Sequence, residues 1–135
     1  MPSKLRLQRI NDRIRQELSE MLVKDEIRDP RLAGIFITDV SVDRELAYAE
    51  IYISAVEGSA RSKEVLAGME SASGFIRRML AERVDLRSFP RLRFHWDPTP
   101  ERADRIEQLL YSLRQETPAE KTKSDDAAED AEIEE

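Results

Sequence analysis

The sequence predicts a two-layer α+β domain that is followed by one more helix and an acidic tail. Three observations support this fold class. Apolar residues recur at helical spacing in several stretches, two β-branched segments flank a short polar turn, and a third such segment follows two further helical stretches. The predicted order is α-β-β-α-α-β-α. Amphipathic helices on a small sheet form two layers around one core.

The first helix is predicted over residues 4–24. Its apolar residues recur at intervals of three and four and form one stripe, which comprises Leu7, Ile10, Ile14, Leu18, Met21 and Leu22. Arg6, Arg9 and Arg13 have similar spacing, and their centre lies about 100° around the helix from that stripe. We therefore expect one packed side and one cationic side. Pro30 ends the helical region because it disfavours a helical Asp29.

A β-hairpin is predicted over residues 34–55. Its strands, 34–42 and 46–55, are rich in β-branched and aromatic residues, and a short polar segment separates them. The second strand alternates: Ala47, Ala49, Ile51, Ile53 and Ala55 form one face, and Tyr48, Glu50, Tyr52 and Ser54 form the other. The small apolar residues indicate that a helix packs closely on the first face.

Two helical stretches joined by a kink are predicted after Gly58. The first has an apolar stripe of Val65, Leu66, Met69 and Ala72, and the second has one of Phe75, Ile76, Met79, Leu80 and Val84. Gly74 lies between the stripes and can adopt backbone angles that residues with a Cβ avoid. Ser71 and Ser73 can cap the second helix, which we expect to begin near Gly74.

The rest of the chain predicts a strand, a helix and a tail. The strand, within 88–97, has Leu92, Phe94 and Trp96 inward and Arg91, Arg93 and His95 outward. The helix begins with Thr99 as N-cap and Pro100 in the first turn, and its expected core stripe is Ala103, Ile106, Leu110 and Leu113. From Thr117 the chain is polar and acidic, which predicts disorder. We therefore divide the chain into a domain, 1–115, and a tail, 116–135.

The net charge of −6 conceals two regions of different charge. Residues 1–114 contain 20 lysines and arginines against 19 acidic residues, a balance of +1, and residues 115–135 have a balance of −7. Arginines make up 17 of those 20 cations, and the arginine fork matches phosphate oxygens. The chain has no cysteine, no secretory signal and no long apolar run. These features fit a cytoplasmic protein outside membranes.

Phosphate binding is one interpretation of the predicted kink. A helix N-terminus with free backbone donors attracts anions, and Arg77 and Arg78 stand in its first turn, where the helix dipole disfavours cations. The alternative is a simple cap and bend. Likewise, the arginines of the first helix could be a solvated face. Arg91 and Arg93 could protect a sheet edge, and Tyr48 and Tyr52 could either stack on bases or pack across strands.

Two other function classes remain open at this point. An enzyme is disfavoured, because the single histidine, His95, is accompanied by no metal, phosphate-loop or nucleophile signature. A protein–protein adaptor is the second alternative, since the acidic tail could bind a basic protein or screen the arginine face. The favoured interpretation of the tail is a solubilising end with no partner.

The segments "IRDPRL", "ITDVSVDRELAYAEIYIS", "SASGFIRRML", "FPRLRFHWD" and "RIEQLL" resemble the ribosome-binding factor A family. The likeness runs in order through about residues 4–113. It implies a type II KH-like fold with an additional C-terminal helix. It also implies binding to the small (30S) ribosomal subunit during late maturation of 16S ribosomal RNA, a link to growth in the cold, and release promoted by an assembly GTPase.

The resemblance also bears on the site. KH domains clamp nucleic-acid backbone with a Gly-x-x-Gly loop, whereas the family has Ala-x-Gly, here Ala72, Ser73 and Gly74. Arg44 falls within a family motif and joins the candidates. We predict a non-catalytic, monomeric RNA-binding factor without cofactor or metal. The candidate RNA contacts are Lys4, Arg6, Arg9, Arg13, Arg44, Ser73, Gly74, Arg77, Arg78, Arg91 and Arg93.

Overall fold

The computed structural model describes residues 2–116 of the 135-residue chain. Its main elements are α1 (Lys4–Val23), β1 (Ile35–Val42), β2 (Tyr48–Ala55), α2 (Ser62–Ser71), α3 (Ser73–Arg83), β3 (Arg91–Trp96) and α4 (Thr99–Glu116). The predicted order and fold class are therefore confirmed. The segment predicted to be a disordered tail lies outside the described residues, apart from Glu116.

The three strands form one sheet in the order β1-β2-β3. β1 and β2 are an antiparallel hairpin in which Val40 pairs with Ile51. β3 runs parallel to β2 and pairs Phe94 with Ile51. Helices α2 and α3 lie between these two strands in sequence, because parallel neighbours need a crossover connection.

The core lies between the helices and the inner face of the sheet. α1 contacts β1, while α2 and α3 contact β3. Most of the predicted stripe residues are buried: the core includes Ile10, Ile14, Leu18 and Met21 of α1, Ala49, Ile51 and Ile53 of β2, and Val65, Met69, Ile76 and Leu80 of α2 and α3. Two predictions for β2 are wrong: Ala47 precedes the strand and is exposed, and Ser54, predicted on the outer face, is fully buried. Leu92, Phe94 and Trp96 pack against this core, as predicted. Burying each large aliphatic side chain stabilises the fold by about 1.5–3 kcal/mol.

The segment between α1 and β1 is fixed by side-chain hydrogen bonds to the backbone. Asp29 caps a one-turn 3-10 helix, Pro30–Leu32, and pairs with Arg31 at 2.6 Å. Hydrogen bonds from Arg31 lower the pKa of the Asp29 carboxyl. Arg61 reaches across from the start of α2 and donates to the carbonyl of Arg31 at 2.7 Å and to that of Ala33. This segment therefore has a defined path although it has little regular structure.

The junction of α2 and α3 differs from the prediction in its details. The break falls at Ala72, which has φ −92° and ψ 1° and is also the N-cap of α3. No side chain caps α3, so the expected serine cap is absent there. Gly74 lies within α3, outside the left-handed region. The prediction that Gly74 supplies special backbone angles is therefore wrong, because a single residue between two helical segments absorbs the change.

The described residues fall into two units, one ending at Pro98 and the other formed by α4. The apolar stripe predicted as core in α4 is exposed: Ile106, Leu110 and Leu113 are 57%, 49% and 58% accessible, and Ala103 is exposed as well. That prediction is wrong because amphipathic spacing shows that a helix has an apolar side without showing what covers it.

Candidate nucleic-acid interface

Three of the predicted contact residues line one cleft. Arg6, Arg9 and Arg13 share an open cleft of about 430 Å³ with Leu5, Ile10, Ser3, Val84 and Asp85. The spacing of the three arginines places them on one side of α1, and the packing of α1 against α3 brings Val84 and Asp85 opposite them. The structure thus converts a cationic stripe in the sequence into a concave surface.

Arg13 is the cleft arginine that is held in place by protein partners. Its Nε lies 3.0 Å from Glu17 Oε2, and its Nη2 donates to the carbonyl oxygen of Arg83 at 3.1 Å. Arg6 and Arg9 are exposed and form no ion pair with any residue in 2–116. The cleft therefore has one positioned guanidinium and two that are available to an anion.

Arg77 and Arg78 have different surroundings although they are adjacent in sequence. Arg77 donates through Nη2 to the carbonyl of Phe89 at 2.5 Å and through Nε to that of Pro90 at 3.1 Å. Arg78 is exposed, and its guanidinium carbon lies 5.8 Å from the centroid of the Phe75 ring. Arg77 thus fixes the segment before β3, while Arg78 faces solvent.

The start of α3 presents little side-chain bulk. Gly74 is exposed, and a Cβ built on it would meet no atom within 4 Å. Ser73 is half-buried and is the first residue of α3. The first backbone N–H groups of a helix lack intrahelical acceptors. The surface beside Gly74 is therefore free of side-chain bulk.

The outer face of the sheet carries a network of side chains centred on Glu50. Arg93 donates to Glu50 Oε2 at 2.6 Å and covers the Tyr48 ring at 3.8 Å, and His95 Nε2 lies 2.5 Å from Glu50 Oε1. The His95 ring stacks on Tyr52. Burial tends to raise the pKa of Glu50, but the hydrogen bonds from His95 and Arg93 outweigh it and lower that pKa. Arg93 is therefore already neutralised.

The remaining candidates are dispersed over the surface. Lys4, Arg44 and Arg91 are exposed and unpaired within the described part of the chain, on α1, in the β1–β2 turn and on β3 respectively. None of them lines the arginine cleft. The structure therefore brings together the arginines of α1 but leaves those of β3 on a different surface.

Asp85 and Val84 also line the cleft; the sequence predicts Val84 only as part of an apolar stripe and assigns no role to Asp85. They follow α3, whose C-cap is Val84, and only the packing of α1 on α3 brings them beside the arginines. An acidic residue at a helix C-terminus, where the dipole disfavours negative charge, is the sequence signal that could have indicated Asp85.

Nothing in the described region points to metal chemistry. Among residues 2–116, no group of three or more histidine, aspartate or glutamate side chains is arranged to hold a metal ion.

Across residues 2–116, no helix is both long enough and apolar enough to cross a membrane.

Comparisons with known proteins give one consistent family. A family model described as ribosome-binding factor A matches residues 6–110. The chain is 44% identical over 115 residues to ribosome-binding factor A of Alcanivorax borkumensis, covering 82% of this chain and 81% of that protein. It is 39% identical over 105 residues to the corresponding protein of Aromatoleum aromaticum, covering 78% and 82%.

A solved structure has the same fold. The crystal structure of ribosome-binding factor A from Thermus thermophilus superimposes with a TM-score of 0.60 at 22% sequence identity. The match covers 67% of this chain and 93% of that one. Together with the strand order and the helix positions, this similarity shows the KH-like fold that the sequence resemblance implies.

Proposed function

Because the chain belongs to the ribosome-binding factor A family, we propose that it binds the small ribosomal subunit and assists the late maturation of 16S ribosomal RNA. It does so as a binding protein that contacts the RNA directly and catalyses no reaction. The proposed setting is the cytoplasm, with the protein acting as a monomer.

The observation that carries this proposal is the arginine cleft between α1 and the end of α3. Arg6 and Arg9 have no acidic partner among the described residues, and Arg13 is oriented by Glu17 and the Arg83 carbonyl. Guanidinium groups match phosphate oxygens in pairs, and RNA carries a phosphate at every nucleotide. Arginines without partners on one concave surface favour a polyanion over a neutral ligand.

Further contacts are proposed on the same basis of exposure and missing partners. Arg78 and Arg44 are exposed cations that can reach phosphates, and Lys4 and Arg91 are similarly placed. Ser73 and Gly74 mark the helix end at which an RNA backbone can approach the N–H groups of α3. Arg77 and Arg93 have protein partners, so we assign Arg77 to fixing the segment before β3 and Arg93 to the Glu50 network on the outer face of the sheet.

The absence of catalysis is part of the proposal and has its own support. His95 lies 2.5 Å from Glu50 and stacks on Tyr52, so its ring is held by neighbours on the outer face of the sheet. Release of the protein by an assembly GTPase, and a role in growth at low temperature, are implied by the family resemblance and remain proposals.

The test is a double charge reversal in the cleft, Arg6→Glu with Arg9→Glu. We expect binding of purified full-length protein to immature small subunits to weaken at least tenfold at low salt. The slope of log affinity against log salt should fall by about 2, because each lost phosphate contact changes it by about 1. We expect the variant to remain folded, because both substituted side chains are exposed, and circular dichroism checks this.

The matched control is Arg102→Glu with Arg114→Glu on α4, which makes the same change in net charge at two exposed arginines outside the predicted set. It should leave the affinity within about threefold of the original. Equal losses in both variants would show that only total charge matters. No loss in the cleft variant would favour an adaptor that reaches the subunit through protein contacts.

A further inference from the structure

The arginine cleft contains a carboxylate that phosphate binding does not explain. Asp85 lines the cleft together with Arg6, Arg9 and Arg13. Asp85 is exposed, and it forms neither an ion pair nor a hydrogen bond with any residue in 2–116. It also directly follows Val84, the C-cap of α3, where the helix dipole disfavours a negative charge. A site that binds only phosphates gains nothing from this carboxylate.

The walls of the cleft suit a flat, partly apolar group. Leu5 supplies the aliphatic surface, since it is 61% accessible although it is a large apolar side chain, whereas Ile10 and Val84 line the cleft as buried members of the core. The cleft is open to solvent and has a volume of about 430 Å³. An unpaired nucleotide can place its base against the Leu5 side chain while its phosphates meet the arginines.

Asp85 determines which base fits best. A carboxylate accepts hydrogen bonds only, so it selects a base edge with adjacent donors. Guanine presents N1–H and the N2 amino group side by side, whereas uracil presents one N–H between two carbonyl oxygens. The arginines add to this choice, since an arginine fork also pairs with O6 and N7 of guanine.

We propose that this cleft binds an unpaired guanine nucleotide of RNA, with Asp85 accepting from the Watson–Crick edge of the base. The inference rests on the proposed function and adds base selectivity to it. The protein would then recognise the base of one exposed nucleotide in addition to binding the RNA backbone without sequence preference. Sequence-specific RNA recognition commonly targets unstacked single-stranded bases in this way.

The experiment measures fluorescence anisotropy of the full-length protein with labelled uridine hexamers that carry one central guanine, inosine or adenine. We expect the guanine oligonucleotide to bind about tenfold more tightly than the adenine one. Inosine, which lacks the N2 amino group, should fall between them. Asp85→Asn should abolish the preference for guanine while binding plain uridine hexamer as tightly as before or more tightly, because a negative charge has been removed.

Glu82→Gln is the matched control. Glu82 is another exposed acidic residue, three positions earlier on α3, and it does not line the cleft. It should keep the preference for guanine. The proposal is overturned if the original protein binds all three oligonucleotides equally, or if Asp85→Asn retains the preference. The proposed RNA-binding function is unaffected by either result if the Arg6→Glu and Arg9→Glu variant binds every oligonucleotide more weakly. Absence of binding to every oligonucleotide overturns the guanine site, whereas the proposed function is decided by the separate measurement of binding to small subunits.

Discussion

Gly68 and Gly74 lie six residues apart in the paired helices and have opposite surroundings. Gly68 is buried where α2 crosses the segment before β1, and a Cβ there would lie 2.9 Å from Leu32 Cδ2 and 3.2 Å from Arg31 Cβ. A Cβ on Gly74 would meet only solvent. Close packing therefore explains the glycine at 68, while nothing within the folded domain requires one at 74.

We expect Gly74→Ala to raise the free energy of unfolding by about 0.5–1 kcal/mol, because alanine is the better helix former and its Cβ has room. Gly68→Ala gains the same helix propensity, but Leu32 and Arg31 must move to make room, so its free energy of unfolding should lie below that of Gly74→Ala. Urea denaturation followed by circular dichroism measures both.

A functional reason for the glycine at position 74 is tested by measuring how tightly the Gly74→Ala variant binds small subunits. If an RNA backbone approaches α3 closely, Gly74→Ala should bind small subunits more weakly in spite of its higher stability. Equal affinity would remove Gly74 from the proposed contacts. Loss of stability in Gly74→Ala would show that position 74 is more crowded than its surroundings indicate.

At the scale of elements, Arg77 connects α3 to the start of β3. Its hydrogen bonds reach the carbonyls of Phe89 and Pro90, directly before the strand begins at Arg91. Pro90 has no N–H for the sheet, so a side chain from α3 helps to fix the strand entry. Arg78 makes no such connection.

Separate substitutions of the two neighbours should therefore have different effects. Arg77→Gln is expected to lower the free energy of unfolding by about 1–2 kcal/mol through the lost hydrogen bonds. Arg78→Gln should leave stability within about 0.5 kcal/mol and weaken subunit binding, as expected for an exposed phosphate contact. Thermal denaturation and binding at two salt concentrations distinguish these effects, and matching profiles for both variants would contradict the assignment.

The same elements show how much of the fold the sequence predicts. Apolar periodicity predicted α1, the hairpin, α2, α3 and β3, because each buries one regular face in the core. It predicted a buried face for α4 as well, which the structure leaves exposed. The role of Arg77 depends on its hydrogen bond to the Phe89 carbonyl, and the role proposed for Asp85 depends on its position beside α1. Neither tertiary contact can be read from a local sequence pattern.

At the scale of the whole molecule, the two ends of the chain differ sharply in charge. Residues 1–114 are close to neutral with a small excess of cations, and residues 115–135 have a balance of −7. The net negative charge thus lies beyond the arginine cleft in sequence. Charges on an RNA-binding protein act over about 8 Å at physiological ionic strength.

Deletion of the residues after 115 should leave the melting temperature unchanged, because that segment has almost no apolar residues with which to stabilise the core. We expect the affinity for small subunits to rise modestly at low salt and to match that of the full chain at high salt, where repulsion is screened. Calorimetry and binding measurements check the two parts. A clear fall in melting temperature would show that the segment stabilises the domain.

The parallel register of β2 and β3 joins residues that are far apart in the chain, such as Ile51 and Phe94. Pairs of this kind form slowly, because the entropy cost of closing a long loop comes before the stabilisation from the contact. During synthesis at about 5–20 residues per second, the hairpin precedes the end of β3 by roughly 2–8 seconds. Through that interval a nascent chain exposes one edge of β2, and its sheet is complete only after translation has passed Trp96.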